Sequence, residues 1–446
     1  MLPPIMLLMI SLLVGSTNTR QDLDAVRAAR QSADCALAAF DRNLYCNFGL
    51  FGLTEEEVNR KASDYLLPKN YKQNFQVQKS IYENDLLMDA IARHMSVRAT
   101  AGLIDEGIDR IRNIKNTVPN NMADSLKSLK DSNLDEADPD IQEDESNEEW
   151  FSDYSDYLDE EYRTEYHDSL LGISMVYMPG SDGVGSTESF DPNNVSNLEK
   201  LAQGLDTLMF TLPEGFTDQI LLTEYSLSYF GSQVNVLKQN GSTRNYRTPD
   251  GRLQSKFGES RQYEQEMIAT GAEGAKAAKK VNFFLGGSRI IINLAAILTS
   301  STERATYDAT AAAITAGVAA VSLGTVVIPP EAISAVLIIG KSVKTGLKEK
   351  NKLLQGEEIK LWPTSGTNAF KVNYRDHLRL ITLVQPREKL LERIGAAISA
   401  NYEKDFYTEV SCEVTRAAVS SRYFPRQPFA ITIERSYFSR EDEDDN

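Results

Sequence analysis

The sequence predicts an α+β protein that is mostly helical, and three observations carry that prediction. Apolar residues recur at three- and four-residue spacings over most of the 446 positions. Strict alternation is confined to a few short stretches, chiefly Val410, Cys412 and Val414 and then Phe429, Ile431 and Ile433. The apolar fraction of 41% is enough to build real cores, and the length suggests about three domains. The expected layout is an N-terminal hydrophobic and amphipathic stalk helix, a helical middle, an Ala/Gly-rich helical hairpin and a C-terminal β-hairpin.

Residues 1–19 carry no charged side chain, and Ile5 to Val14 is almost wholly apolar. A ten-residue core matches an export signal, while the full uncharged run just reaches the length of a membrane span. The segment therefore reads as a membrane anchor or a signal, with an ordinary buried helix as the alternative. Beyond Arg20, Leu23, Val26, Ala33, Leu37, Phe40 and Leu44 form a stripe at helical spacing, interrupted by Arg30. Residues 20–60 are thus expected to hold an amphipathic stalk helix that packs through this stripe.

Next comes an uncharged hexapeptide, Phe48-Gly49-Leu50-Phe51-Gly52-Leu53. Its two glycines break the helix, and Thr54 followed by Glu57 is a capping-box signal for the next one. An exposed apolar connector is a liability. The hexapeptide is therefore expected to be buried, plugging the stalk into the globular part, with a partner-binding role as the alternative.

Residues 61–130 read as helical, with Leu86, Leu87, Ile91, Met95, Leu103, Ile104, Ile108 and Ile111 at helical spacing through 75–130. Residues 131–168 hold 17 acids against Arg163 alone, so they account for −16 of the net charge of −17. That insert reads as disordered, and it lacks the ligand spacing and glycine of a calcium loop. In the mixed region 169–258, a strand is expected at 173–178, helices at 195–208 and 220–230, and a polar loop at 240–258. Within a C-terminal domain at 259–440, a helical pair is expected around Gly286-Gly287. Residues 309–330 carry no charge, and with 332–339 they read as a buried hairpin of small residues, or as a membrane hairpin. A strand at 358–362, helices at 374–384 and 387–402 and a terminal β-hairpin follow, then the acidic tail 441–446.

The charge pattern argues against nucleic-acid binding, which needs concentrated positive charge. Three cysteines, Cys35, Cys46 and Cys412, are no disulfide framework. Cys35 and Cys46 would lie about 16 Å apart on one helix; either could pair with Cys412, or none pair. The three histidines, His94, His167 and His377, show no metal-ligand spacing. Gly340-Lys341-Ser342 lacks the earlier glycine of a phosphate loop, Gly183-Val184-Gly185 lacks the third glycine of a dinucleotide loop, and no nucleophile-elbow motif occurs. A pair of catalytic carboxylates is not excluded by sequence. No cofactor, metal or catalytic residue is expected, and the chain reads as not an enzyme.

The stretch AVRAARQSADCALAAFDRNLYCNFGLFGL at 25–53 resembles the start of an uncharacterised extracytoplasmic family of Clostridia-type Gram-positive bacteria, related to the TadE/TadG-like minor pseudopilins. Phe40-Asp41 and Asn47 to Phe51 stand where that family has a tyrosine-aspartate step and Tyr-Gly-Leu-Phe. LTEYSLSYFG (222–231), QYEQEMIATG (262–271), RIIINLAAIL (289–298), LLQGEEIKLWP (353–363), YRDHLRLITLV (374–384) and RIGAAISANYEKDF (393–406) follow in the family's order. The resemblance covers about 20–60 and 215–440. The anchor is shorter than the family's and lacks its basic start, and the acidic middle matches nothing. The resemblance implies a non-catalytic envelope protein with a role in pilus or secretion assembly. Its membrane contact would run through the N-terminal segment, its bulk would be extracytoplasmic, and its partners would be proteins or sister subunits. A secreted binding protein, cleaved near 15–19, and an envelope enzyme of unknown chemistry are the alternatives.

Overall fold

The computed structural model describes residues 2–438 apart from 63–66, 68–69, 99, 120–121, 131–163, 167, 173–194, 211–215, 323–328, 365, 367–368, 403 and 420–425. About 66% is helix and 14% strand, with a few small antiparallel sheets, so the α+β, mostly helical class holds. The expected strand at 173–178 and nearly all of the acidic insert lie outside the described residues. The insert's last positions, 164–166 and 168, belong to a helical segment whose Tyr166 is fully buried.

In chain order the first elements are α1 (Leu2–Leu37), α2 (Arg42–Phe48), α3 (Glu55–Ala62), β1 (Lys72–Ser80), α4 (Asn84–Arg98), α5 (Thr100–Thr117) and α6 (Met122–Lys130). Then come α7 (Val195–Phe210), α8 (Phe216–Tyr229), β2 (Val236–Gln239), β3 (Ser242–Asn245), α9 (Glu264–Thr270), α10 (Gly274–Thr299), α11 (Ser301–Val321) and α12 (Pro330–Leu354). The last are β4 (Ile359–Lys360), β5 (Lys371–Val372), α13 (Tyr374–Leu383), α14 (Arg387–Ser399), β6 (Tyr407–Arg416) and β7 (Phe429–Ser436). The chain divides into two compact units: Met1–Arg98 with Ile394–Asn446, and Ala99–Arg393 inserted between them. The stretch 259–440 expected as one domain is thus shared by both units.

In the first unit, a three-stranded antiparallel sheet has the order β1-β6-β7. Phe75 faces Cys412 across one seam, and Cys412 faces Ile433 across the other. The expected terminal hairpin is β6-β7, and its alternating Val410, Cys412 and Val414 are fully buried under α1. β1 is a correction, because residues 75–80 were expected to be helical. Its partner is hundreds of residues away in the chain, and such pairing leaves no mark in local periodicity.

In the second unit, α10 runs through the core with 18 of its residues buried, Val281, Phe284, Ile291 and Leu294 among them. Among the described residues it is also the one helix long and apolar enough to cross a membrane, and 89% of that apolar stretch is buried within the protein. The expected break at Gly286-Gly287 does not occur. The chain breaks instead at Gly271, whose φ of +68° ends α9. Gly286 stays helical and leaves room for Ser169, whose Oγ would sit 2.3 Å from a Cβ there.

α11 and α12 lie against each other. The expectation that the uncharged run in α11 is buried fails: Ala311 alone is buried in it, while Ile314 and Val321 are exposed. Ala, Thr and Gly lack charge, but they offer little apolar surface to bury. The expected loop at 240–258 instead opens with the β2-β3 hairpin, turned at Asn240-Gly241 with both φ values positive.

Candidate functional site

α1 changes character along its length. Ile5, Leu8, Met9, Leu12 and Leu13 are each about 60% exposed, with no neighbour covering them. From Ala25 onward the helix docks on the sheet through Ala25, Ala29, Ala33 and Ala36, which are 0–2% exposed. The buried face is therefore an alanine ridge at four- and three-residue spacing, whose small side chains let a helix approach a sheet closely. This differs from the expected stripe. Ala33 is on the ridge, Leu23 is exposed, and Val26 and Leu37 are half-buried at its sides. Phe40 lies past the helix end, and Leu44 is buried on α2.

Polar contacts fix the docked half. Asp22 accepts from the Arg416 guanidinium and the Tyr71 hydroxyl, and Arg416 reaches Tyr71 Oη at 2.8 Å. Arg435 Nε meets Asp34 at 3.0 Å, and the Tyr437 hydroxyl donates to Leu37 O at 2.6 Å. That last bond satisfies a carbonyl left over at the helix end.

After α1 the chain turns, and Asp41 caps α2 by accepting from the backbone N–H of Asn43 (2.7 Å) and Leu44 (2.9 Å). Gly49 closes α2 with φ +71°. The hexapeptide then runs to Thr54, which caps α3 by accepting from Glu57 N at 3.4 Å. Asp41 N donates to Gly52 O, and Leu53 exchanges backbone hydrogen bonds with Tyr407 at 2.8 and 2.9 Å. Phe48, Gly49, Leu50, Gly52 and Leu53 are buried.

Phe51 is the exception at 39% exposed, and it corrects the expectation of a wholly buried connector. Its ring lies 4.7 Å from Tyr45, 5.0 Å from Phe40 and 5.6 Å from Tyr437, centroid to centroid. These rings form one wall of a 580 Å³ pocket whose other side is Leu37, Ala90, Arg93, His94 and Phe438. Sequence reasoning did not bring Tyr45, Arg93, His94, Tyr437 or Phe438 together. The one local signal was Gly49, a residue that a helix end and a close neighbour both required.

The second unit buries an ionic network. Arg379 pairs with Glu224 (short, through Nε) and with Asp376 at 2.8 Å, and Arg110 reaches Asp376 at 3.3 Å. Burial opposes charge on Arg379, but Glu224 and then Asp376 outweigh it and hold its pKa above the ordinary value. Arg289, fully buried, bridges Glu349 and the carbonyls of Lys360 and Leu361.

Glu266 is wholly buried. Its Oε1 accepts from Ser232 (2.6 Å), Tyr374 (2.8 Å) and Gln233 N (3.0 Å). Burial pushes this carboxyl upward, and those hydrogen bonds only partly offset it. Burial also drives His377 down to about 4. Glu224, Glu266, Arg289, Tyr374, Asp376, His377 and Arg379 fall in the segments 222–231, 262–271, 289–298 and 374–384. The void beside Asp376 and His377 measures 10 Å³, room for about one water. The arrangement clamps helices together.

Among the described residues, no group of three or more His, Cys, Asp and Glu converges as a metal site would need. Among the described residues Cys35, Cys46 and Cys412 form no disulfide, and burial raises Cys412 to about 11. Comparison with protein-family models, curated proteins and solved structures finds no match to this chain.

Proposed function

We propose that the chain is a non-catalytic structural or assembly protein of the cell envelope, of the TadE/TadG-like minor pseudopilin kind. α1 holds it to the membrane, its bulk is extracytoplasmic, and its partners are other envelope proteins or sister subunits. The observation that carries this reading is the split in α1. An uncovered apolar half is continuous with a half fastened to a sheet by an alanine ridge and by Asp22 and Asp34. Seven large apolar side chains between Ile5 and Leu13 are exposed, a surface that a bilayer's hydrocarbon would cover. The closed ionic network in the second unit supports a scaffold role, because its carboxylates are held by arginines rather than offered to a cleft.

A second reading is a released binding protein, cut from its leader near 15–19. The connector pocket favours it. An envelope enzyme has no such observation on its side.

Protease shaving of intact cells carrying a C-terminal tag separates these readings. Loss of the tag from the membrane fraction supports the anchored protein. Free tag in the medium, on a chain starting after residue 19, supports the released one. A tag protected inside the cell refutes both.

A further inference from the structure

We propose that the connector pocket of the first unit binds a small amphiphile, a flat aromatic body carrying one carboxylate. Its volume of 580 Å³ is that of a small-ligand site. Its wall is built from rings whose spacings of 4.7–5.6 Å are those of edge-to-face and tilted aromatic pairs, and a further ring joins such a cluster at the same spacing.

Phe51 points the same way. Its five neighbours in the hexapeptide are buried, yet Phe51, which lines the pocket, keeps 39% of its surface open.

Charge sets the ligand's sign. Among the described residues Arg93 is the one charged side chain lining the pocket, and it is exposed. Its Nη1 and Nη2 donate to the carbonyls of Tyr437 (3.2 Å) and Phe438 (3.3 Å), and its guanidinium lies 5.3 Å from the Phe438 ring centroid. These contacts hold the head at the mouth. A guanidinium carries five N–H donors, so donors remain for a carboxylate. Among the described residues no acid pairs with Arg93. A cation set among aromatic rings suits an anion, and it repels the cationic ligands that ring faces would otherwise draw.

The test is calorimetric titration of the full chain with 1-naphthoate and with its neutral counterpart, 1-naphthamide. Wild type is expected to bind one naphthoate, saturably, with a Kd below about 100 μM, and naphthamide about fivefold or more weakly. Phe51→Ala is expected to weaken both by about tenfold. Arg93→Gln is expected to erase the preference for naphthoate while leaving naphthamide binding unchanged. That preference is a ratio within one protein, so it survives any change in the folded fraction. Circular dichroism of Phe51→Ala checks its fold, and Phe51→Leu replaces it if it fails to fold.

No saturable binding of naphthoate overturns the proposal. So does equal affinity of wild type for both probes, or binding that neither variant alters. Sedimentation adds one more overturning result: a dimer that Phe51→Ala dissolves and naphthoate leaves intact would make the pocket the seat of a second copy.

Discussion

The imidazole of His94 occupies the space in which residue 49 would carry a side chain: a Cβ built on Gly49 falls 2.1 Å from His94 Nε2. The same glycine closes α2 in a left-handed conformation. Gly49→Ala therefore meets both strain and collision. A loss of more than about 2 kcal/mol is expected, the strain alone being about 1–2. Gly241→Ala is the control, since its φ of +77° gives the strain while nothing lies within 4 Å. Equal shifts in urea midpoint for the two variants would remove His94 from the explanation.

The alanine ridge makes a prediction about size. Ala29 is fully buried between α1 and the sheet. Ala29→Leu forces the helix off the strands and is expected to cost about 1–3 kcal/mol. Leu23→Ser, at an exposed position, is expected to stay within about 0.5 kcal/mol of wild type. Thermal melts that rank them the other way would restore the larger apolar residues as the docking face.

Arg379 tests the ionic network. Arg379→Ala leaves Glu224 buried without this partner and Asp376 with Arg110 alone, at a cost of about 3–5 kcal/mol. Adding Glu224→Leu to Arg379→Met is expected to recover part of that loss. A double-mutant cycle with no coupling would show that the two side chains act independently.

His377 gives a pH dependence with a definite sign. Its folded value is about 4 and its ordinary value 6.5, so the unfolded chain takes up the proton first as pH falls. Stability from this group is whole above pH 6.5 and declines towards pH 4, by about 3 kcal/mol in all. Burial is the main cause, and Arg289 adds to it, while the hydrogen bond to Asn373 O and the charges of Asp376 and Glu349 oppose it. Glu266 works in the opposite direction: its raised value favours the folded state at low pH, a gain lost as pH rises. The difference between wild type and His377→Gln, measured from pH 7 to 4, isolates the histidine. A difference that does not change with pH would refute its buried, neutral state.

Helices were legible in the sequence where one face carries large apolar residues, as in α7, α8, α13 and α14. The β6-β7 hairpin was legible from its alternation. β1 was not, because β6 alone makes it a strand. The ridge of α1 was hidden for a different reason: reasoning from hydrophobicity ranks Leu23 and Phe40 above Ala25 and Ala29, yet a close helix-sheet contact selects for smallness. The pocket was partly legible. Gly49 and Phe51 stood out as residues, but Arg93, His94 and Tyr437 join them only through the chain path from α4 to the end of β7.

That path has a consequence for how the protein is made. Gln73 of β1 touches Cys412 of β6 across 339 positions of chain. A ribosome that has delivered α1, β1 and α4 has delivered none of the central strand that α1 and β1 rest on, and long-range closure of this kind is slow. The inserted unit can complete its own core first. Throughout that interval Ala25, Ala29 and Ala33 face water along with the apolar half of α1, and the nascent helix is at its most available to any membrane or chaperone that meets it. The last thirty or so residues thus act as a clasp, since only β7 and Tyr437 finish the seat on which α1 comes to rest.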